Sequence, residues 1–204
     1  MSLWAIVPVK PLRRGKSRLS EILSEDERSR LNHYLFTHTI DILLEVELIT
    51  EILVVSRDSN VLTIARDKGV RTVTENGAPE LNNALRRATV FSNVFSTEGV
   101  LIVPADLPLL SAADVIEFLS QRKEPPNIVI SPDHRGLGTN MLFINPADLI
   151  SFSFGIDSFK RHSVLAREKG GEVVVYENSR IALDLDVPED YEILQSNKAL
   201  PILN

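Results

Sequence analysis

Residues Gly99–Leu110 read GVLIVPADLPLL, and the parsing of this stretch decides the fold. Val100, Leu101, Ile102 and Val103 form an unbroken apolar run, the pattern of a short strand covered on both faces. Pro104 stops the run. Asp106 then falls just beyond the strand's carboxyl end, and Pro108 stiffens the exit. In an open parallel sheet, ligands bind in the crevice at that end of the strands. Asp106 is therefore a candidate metal ligand. The alternative is the carboxylate of an ordinary turn or helix cap, and this stretch alone does not separate the two.

Outward from it, buried strands alternate with amphipathic helices. Leu3–Val9 (LWAIVPV) is a first strand, closed by Lys10-Pro11. Ser24-Glu25-Asp26-Glu27 is a capping box. The helix it opens runs to about Val46, with Leu31, Tyr34, Leu35, His38, Ile42 and Val46 as its inward stripe. His38 on that stripe reads as a core histidine rather than a ligand. Glu51–Ser56 is the second strand, and Asp58 or Ser59 caps a short helix that stops at Lys68-Gly69. Val70–Thr74 is the third strand, ending in Glu75-Asn76-Gly77. Leu81–Phe95 is a helix with Leu81, Ala84, Leu85, Ala88, Phe91 and Phe95 inward. Ser111, with Asp114 three residues on, caps the helix after the opening stretch. This alternation predicts a doubly wound half with parallel strands, and Lys10, Glu75 and Asp106 all open on its carboxyl edge.

The second half is less regular. Strands are predicted at Asn127–Ser131, Thr139–Asn145, Glu172–Tyr176 and Ile181–Leu183, with a glycine-bearing loop Pro132–Gly138 and a helix over about Asp157–Lys169. Pro188 starts a last helix, where Glu189 and Asp190 suit the positive end of the helix dipole and read as structural. The tail Ala199–Asn204 is expected to be peripheral.

Composition narrows the function classes. The chain has 204 residues, 44% of them hydrophobic, enough for one large domain. Its 22 basic and 28 acidic residues give a formal net charge of −6, which argues against a general nucleic-acid binder and leaves room for a local basic pocket. With no cysteine, disulfides, thiolate catalysis and thiolate metal sites are excluded. The four histidines lack a zinc-type spacing. No apolar run approaches the ~20 residues that span a bilayer, and no signal peptide precedes the first strand. A soluble, cytoplasmic protein with no membrane partner is the expectation.

Three groups of residues could carry chemistry. Leu12–Arg18 (LRRGKSR) places Arg13, Arg14, Lys16 and Arg18 around Gly15, directly after a buried strand. Such a run is commonly a solvated loop. At a sheet's carboxyl edge, however, its side chains and backbone amides suit a polyphosphate. It is not a Walker loop, since G-x-x-x-x-G-K-S/T is absent. Asp184-Leu185-Asp186 alternates, so in an extended segment both acids face one way while Leu183 and Leu185 face the core. Paired carboxylates repel unless a cation or a basic group sits between them. A hard oxygen site of this kind suits magnesium with phosphate oxygens and water; the alternative is solvated acids before the last helix. Thr139, Asn140, Gly155 and Ser158 are small hydrogen-bonding positions. Ser158 falls in a helix's first turn, where free amides bind anions, and Arg161 and His162 lie one turn on. They form a candidate second anion site, although Ser158 alone reads as an ordinary helix-start serine.

Taken together, the motifs resemble the CofC/FbiD family of guanylyltransferases of coenzyme F-420 biosynthesis, within the nucleotidyltransferase superfamily that also holds the molybdenum-cofactor guanylyltransferases. The matching residues run the length of the chain: Val7-Pro8-Val9-Lys10, Lys16-Ser17-Arg18-Leu19, Leu81-Asn82 with Ala84-Leu85, and Ala105–Leu110. They continue with Gly138-Thr139-Asn140 and Leu142-Phe143, Phe154-Gly155 with Ser158-Phe159 and His162, and Asp184–Asp190. The resemblance implies a single GT-A-like, Rossmann-like α/β domain with a mixed sheet flanked by helices, of the nucleotide-diphospho-sugar transferase type. About 1–122 would bind the nucleotide and about 123–204 the acceptor. The implied reaction transfers GMP from GTP to phosphoenolpyruvate or 2-phospho-L-lactate, with magnesium, releasing pyrophosphate.

By family role, Lys10, Lys16 and Arg18 would hold the triphosphate, and Glu75 and Asn82 would lie near the guanine. Asp106, with Asp184 or Asp186, would hold magnesium. Thr139, Gly155 and Ser158 would hold the acceptor. A homodimer is a family-level expectation. Arg13 and Arg14 have no fixed place in the motif. Two other readings stand beside this one: the same fold with another acceptor, such as 3-phosphoglycerate, and a nucleotide-binding regulatory protein without turnover.

Overall fold

The computed structural model describes residues 2–77, 80–95 and 97–196. The tail 199–204 lies outside the described residues. One seven-stranded sheet carries strands in the order β3-β2-β1-β4-β6-β5-β7. In chain order they are β1 (Leu3–Val9), β2 (Glu51–Ser56), β3 (Arg71–Thr74), β4 (Gly99–Ile102), β5 (Asn127–Pro132), β6 (Thr139–Asn145) and β7 (Glu172–Val175). β1 to β4 pair in parallel, as the strand–helix alternation predicts. β6 runs antiparallel to both β4 and β5, which makes the sheet mixed.

Helices cover both faces: α1 (Glu25–Leu44), α2 (Ser59–Asp67), α3 (Leu81–Asn93), α4 (Ala112–Ser120), α5 (Ser158–Glu168), α6 (Ser179–Ala182) and α7 (Pro188–Ser196). The opening stretch shows why. Leu101 and Val103 pack with Phe36 and Ile40 of α1 and Phe118 of α4. Val100 and Ile102 pack on the other face with Leu85 and Ala88 of α3. All four are fully buried, each worth about 1.5–3 kcal/mol of transfer free energy. A strand so covered has no solvent face, hence the unbroken apolar run.

A third, smaller core matters most for the site. Leu19, the last residue of a single 3-10 turn at Ser17–Leu19, packs with Leu31 and Leu35 of α1, with Leu183 and Leu185, and with Leu194 of α7. This core ties the basic loop after β1 to the Asp184–Asp186 segment.

Both capping boxes form as read, at Ser24/Glu27 and Ser111/Asp114. Three details differ. Ile181–Leu183 is not a strand: the Asn178 side chain accepts from the Arg180 and Ile181 amides and starts α6, so Ile181 enters the main core and Leu183 the third. On α1, Tyr34 and His38 are half-exposed and stack on each other, while Phe36, Ile40 and Leu43 are buried, because the helix packs on two cores rather than one stripe. On α3, Leu81 and Phe91 are exposed at the rim and the helix ends at Asn93; Phe91 and Phe95 close over Trp4 instead.

Candidate active site

The carboxyl ends of β1 and β4 lie side by side, and the segments leaving them meet. Lys16 Nζ donates to Asp106 Oδ2 at 2.9 Å, with the lysine side chain only 8% exposed. Lys16 is aimed by an unusual backbone: it is left-handed, with φ 55°, a conformation that costs roughly 1–3 kcal/mol in a residue with a side chain and recurs at ligand clamps. The turn before it is built to hold this. The Arg14 and Gly15 amides donate to the Pro11 carbonyl, and Asn32 Nδ2 donates to the Leu12 carbonyl. A Cβ at Gly15 would lie 2.7 Å from that Asn32 nitrogen, so any larger residue there would displace the Asn32 side chain.

Asp184 joins this cluster and Asp186 does not. The Leu185 amide donates to the Asp106 carbonyl at 3.0 Å, which laces the two segments together. Burial first, and then the Asp106 charge, push the Asp184 carboxyl up to about 6; a hydrogen bond from Asn140 and the Lys16 charge oppose them. Asp186 instead pairs with Arg18 NH1 at 2.6 Å, in solvent. The alternation read from the sequence holds, with Leu183 and Leu185 buried, but each acid faces its own partner rather than the other. Buried Asp190 fixes the turn: its Oδ2 accepts from the Asp186 and Val187 amides, both at 2.9 Å. Arg13 reaches Glu25 on the surface, and Lys10 and Arg14 are exposed.

A second, uncharged cluster lies next to the first. Ser158 Oγ donates to Thr139 Oγ1 at 3.1 Å, and His162 Nδ1 lies 3.1 Å from the same oxygen. His162 Nε2 accepts from the Ser153 amide at 2.9 Å. Burial, helped by the Arg161 charge, pushes this imidazole down to about 4. Gly155 follows in a left-handed turn with φ 115° that suits glycine. Asn82 grips the residue before it: its Oδ1 accepts from the Phe154 amide at 2.7 Å and its Nδ2 donates to the Phe154 carbonyl at 3.3 Å. Glu75 is held in the turn after β3, by Arg57 Nε and by the Glu80 amide.

Adjacent residues of β6 serve the two clusters, through a bulge. Ser131 pairs with Met141 and Pro132 with Thr139, so Asn140 is the extra residue. Met141 and Phe143 lie in one core, Leu142 and Ile144 in the other. Continued regularly, that alternation would put Asn140 toward α5 and Thr139 toward α6. The bulge reverses it. Thr139 meets α5, while Asn140 Nδ2 donates to the Ile181 and Ala182 carbonyls of α6 and to Asp184.

Asn140 and His162 stood in the candidate second anion site, and what residue-by-residue reading missed is their partners: Asn140 turns to Asp184 and α6, and His162 joins Thr139 to Ser153. Both stood in the quoted motifs, but nothing local announces a bulge or a buried imidazole's partners. Among the described residues, no group of three or more His, Asp or Glu side chains could hold a metal by itself, and no helix is long and apolar enough to cross a membrane.

This geometry can be set against known proteins. Residues 3–197 match the family described as "Guanylyl transferase CofC like". The chain belongs to that family. Its class is therefore nucleotidyltransferase, a guanylyltransferase in particular. The chain is 39% identical to a phosphoenolpyruvate guanylyltransferase of Rubrobacter xylanophilus, over 97% of this chain and 95% of that one. It is 33% identical to a 2-phospho-L-lactate guanylyltransferase of Methanocaldococcus jannaschii, over 93% and 81%. A solved structure assigned to the nucleotide-diphospho-sugar transferases, from Desulfovibrio desulfuricans, superposes with a TM-score of 0.71 at 18% identity, over 97% of this chain and 89% of that one. The expected fold class is thereby borne out.

Proposed function

We propose that this guanylyltransferase transfers GMP from GTP to the phosphate of phosphoenolpyruvate or 2-phospho-L-lactate, releasing pyrophosphate, in coenzyme F-420 biosynthesis. The observation that carries the reading is the β6 bulge. It gives consecutive residues to two clusters, Asn140 to the carboxylates and Thr139 to the hydroxyl pocket. An acceptor anion held at Thr139 would lie one residue from groups that manage triphosphate charge.

In this reading an acceptor phosphate oxygen attacks the α-phosphorus of GTP, one P–O bond forms, the bond to the β-phosphate oxygen breaks, and pyrophosphate leaves with that electron pair. The nucleophile is already an anion, so no general base is required, in keeping with the lack of a Ser/His/Asp or Cys/His set among the described residues. What the reaction needs is positioning and charge neutralisation. Lys16, with Lys10 and Arg18 on the same loop, would hold the triphosphate. Glu75 spends two of its lone pairs on Arg57 and the Glu80 amide, leaving acceptor capacity for the N–H edge of guanine. Asn82, in the first turn of α3, would pass near the base while holding Phe154. Thr139, Ser158 and the Gly155 turn would hold the acceptor.

The donor set fits magnesium. Asp106 and Asp184 face each other closely enough to raise the latter's proton affinity, which is the repulsion a divalent cation relieves. Two carboxylates, with phosphate oxygens and water completing the shell, are what magnesium ordinarily takes. When bound, the ion would neutralise phosphate charge. Asp186, paired with Arg18, would stand outside that shell. Small, highly charged substrates accord with cytoplasmic work.

The test is pyrophosphate release from GTP and magnesium with each acceptor in turn, including 3-phosphoglycerate. The product would be identified by mass spectrometry with a coupled downstream transferase. Release is expected only with phosphoenolpyruvate or 2-phospho-L-lactate. Tight GTP binding without release for any acceptor would sink the catalytic reading.

A further inference from the structure

We infer that His162 is a positioning residue that sets the Thr139–Ser158 hydroxyl pair as a hydrogen-bond donor to the acceptor's anionic group. The inference rests on the reading of that pair as an acceptor contact. His162 is fully buried. Its Nε2 accepts from the Ser153 amide, so a lone pair sits there and the ring hydrogen sits on Nδ1. That N–H donates to Thr139 Oγ1, 3.1 Å away. A hydroxyl oxygen accepts at most two hydrogen bonds and donates one. With His162 as one donor, Thr139 and Ser158 share one hydroxyl hydrogen between them, whichever of the two gives it. The other hydrogen has no partner inside the pair and is left for a ligand. A histidine with its hydrogen on Nε2 would instead accept from Thr139, consume that hydrogen, and set two donors against each other at Ser153.

The same ring also steadies the loop that carries Gly155. Its far nitrogen holds Ser153, its face meets Phe154 edge-on with centroids 4.8 Å apart, and Asn82 holds the other side of Phe154. The imidazole therefore links the loop backbone to the hydroxyl pair and fixes their spacing.

Two substitutions divide these roles. His162→Asn keeps an N–H where Nδ1 stands, and His162→Gln keeps an acceptor where Nε2 stands. His162→Gln is expected to raise the acceptor KM about tenfold, the scale of one hydrogen bond to a charged group, with the GTP KM and kcat at saturating acceptor within about twofold. His162→Asn is expected to return the acceptor KM to within about threefold of the parent. Equal effects of the two, or parallel losses in kcat and both KM values, would overturn the inference in favour of simple packing. Thr139→Val separates the underlying reading: no change in acceptor KM there removes the hydroxyl pair from the acceptor site altogether, whereas a change there with none in His162→Gln removes His162 alone. If the variants fail to fold, 15N-histidine NMR of the parent decides. A hydrogen on Nδ1 that shifts when phosphoenolpyruvate or 2-phospho-L-lactate is added supports the inference; a hydrogen on Nε2 overturns it.

Discussion

The two clusters at the carboxyl edge are built on opposite plans. Around Asp106 charge is left unresolved, with two carboxylates sharing one buried lysine and one of them holding its proton up to about pH 6. The His162–Thr139–Ser158 chain is itself uncharged, although the Arg161 charge reaches His162, and of its two hydroxyl hydrogens one is left without a partner inside the chain. In the proposed reading the first arrangement answers to an arriving cation or phosphate. In the same reading the second is fixed beforehand and offers one hydroxyl hydrogen to the acceptor's anion. The proposed guanylyl transfer would use this difference, with the first cluster neutralising charge on the nucleotide phosphates and the second holding the attacking acceptor in place.

The comparison is most exposed at Asp106. Asp106→Ala is expected to lower kcat roughly 10³-fold, the scale of losing a preorganised charge at the reacting phosphates. The thermal midpoint should change far less than activity, because the relief of the Asp106–Asp184 repulsion offsets part of what Lys16 loses with its partner. Near-normal GTP turnover in this variant would return Asp106 to the status of a turn carboxylate. Next comes the contrast between the two later acids. Asp184→Asn should cost about 10²-fold in kcat, and Asp186→Asn, which removes only a solvated pair with Arg18, a few-fold at most. Equal losses would extend the charged cluster to the exposed pair.

How much of this was legible follows from where each signal resides. The parallel half was readable because runs such as Val100–Val103 and the Ser24 and Ser111 caps are local patterns set by burial and by orphan amides. Leu183 and Leu185 were readable for the same reason. The partner of each acid was not. That Asp184 meets Asp106 while Asp186 meets Arg18 depends on a third hydrophobic core, which brings Leu19 against Leu185 from opposite ends of the chain. The bulge at Asn140 leaves no mark in TNMLFIN, since it is decided by pairing with Ser131 and Pro132. Ile181–Leu183 misled because alternation can also arise when neighbouring residues enter two different cores. The chemistry of the whole came from the motif order, which carries what no single segment does.

Asn82 tests where the border between the clusters runs. Its amide is spent on the Phe154 backbone, so Asn82→Ala should loosen the Gly155 turn and raise the acceptor KM by about three- to tenfold, with less effect on GTP. If the GTP KM rises first, Asn82 belongs with the base, and the two halves are coupled through α3.

The smallest expected effect is a cancellation. His162 has its folded-state pKa lowered to about 4 from 6.5, so the unfolded chain takes up that proton first. Its contribution to stability is whole above pH 6.5 and is lost as pH falls through 4, by roughly 3 kcal/mol in total. Asp184 has its folded-state pKa raised to about 6 from 3.8, so the folded chain takes up the proton first. Its contribution is greatest below pH 3.8 and is lost as pH rises through 6, by about 2 kcal/mol once solvent screening is allowed for. Over the same interval the two slopes oppose, and together they leave a residue of about 1 kcal/mol in the metal-free protein. Urea midpoints measured from pH 4 to 7 in His162→Asn and Asp184→Asn separate them. The difference between each variant and the parent cancels the remaining carboxylates, including the buried Asp114. Relative to the parent, His162→Asn should gain stability as pH falls and Asp184→Asn should lose it. Magnesium with GTP should abolish the second slope and leave the first, because in the proposed reading the cation binds at the charged cluster. Parallel slopes in both variants would mean that the two regions titrate as one site and that the contrast between them is false.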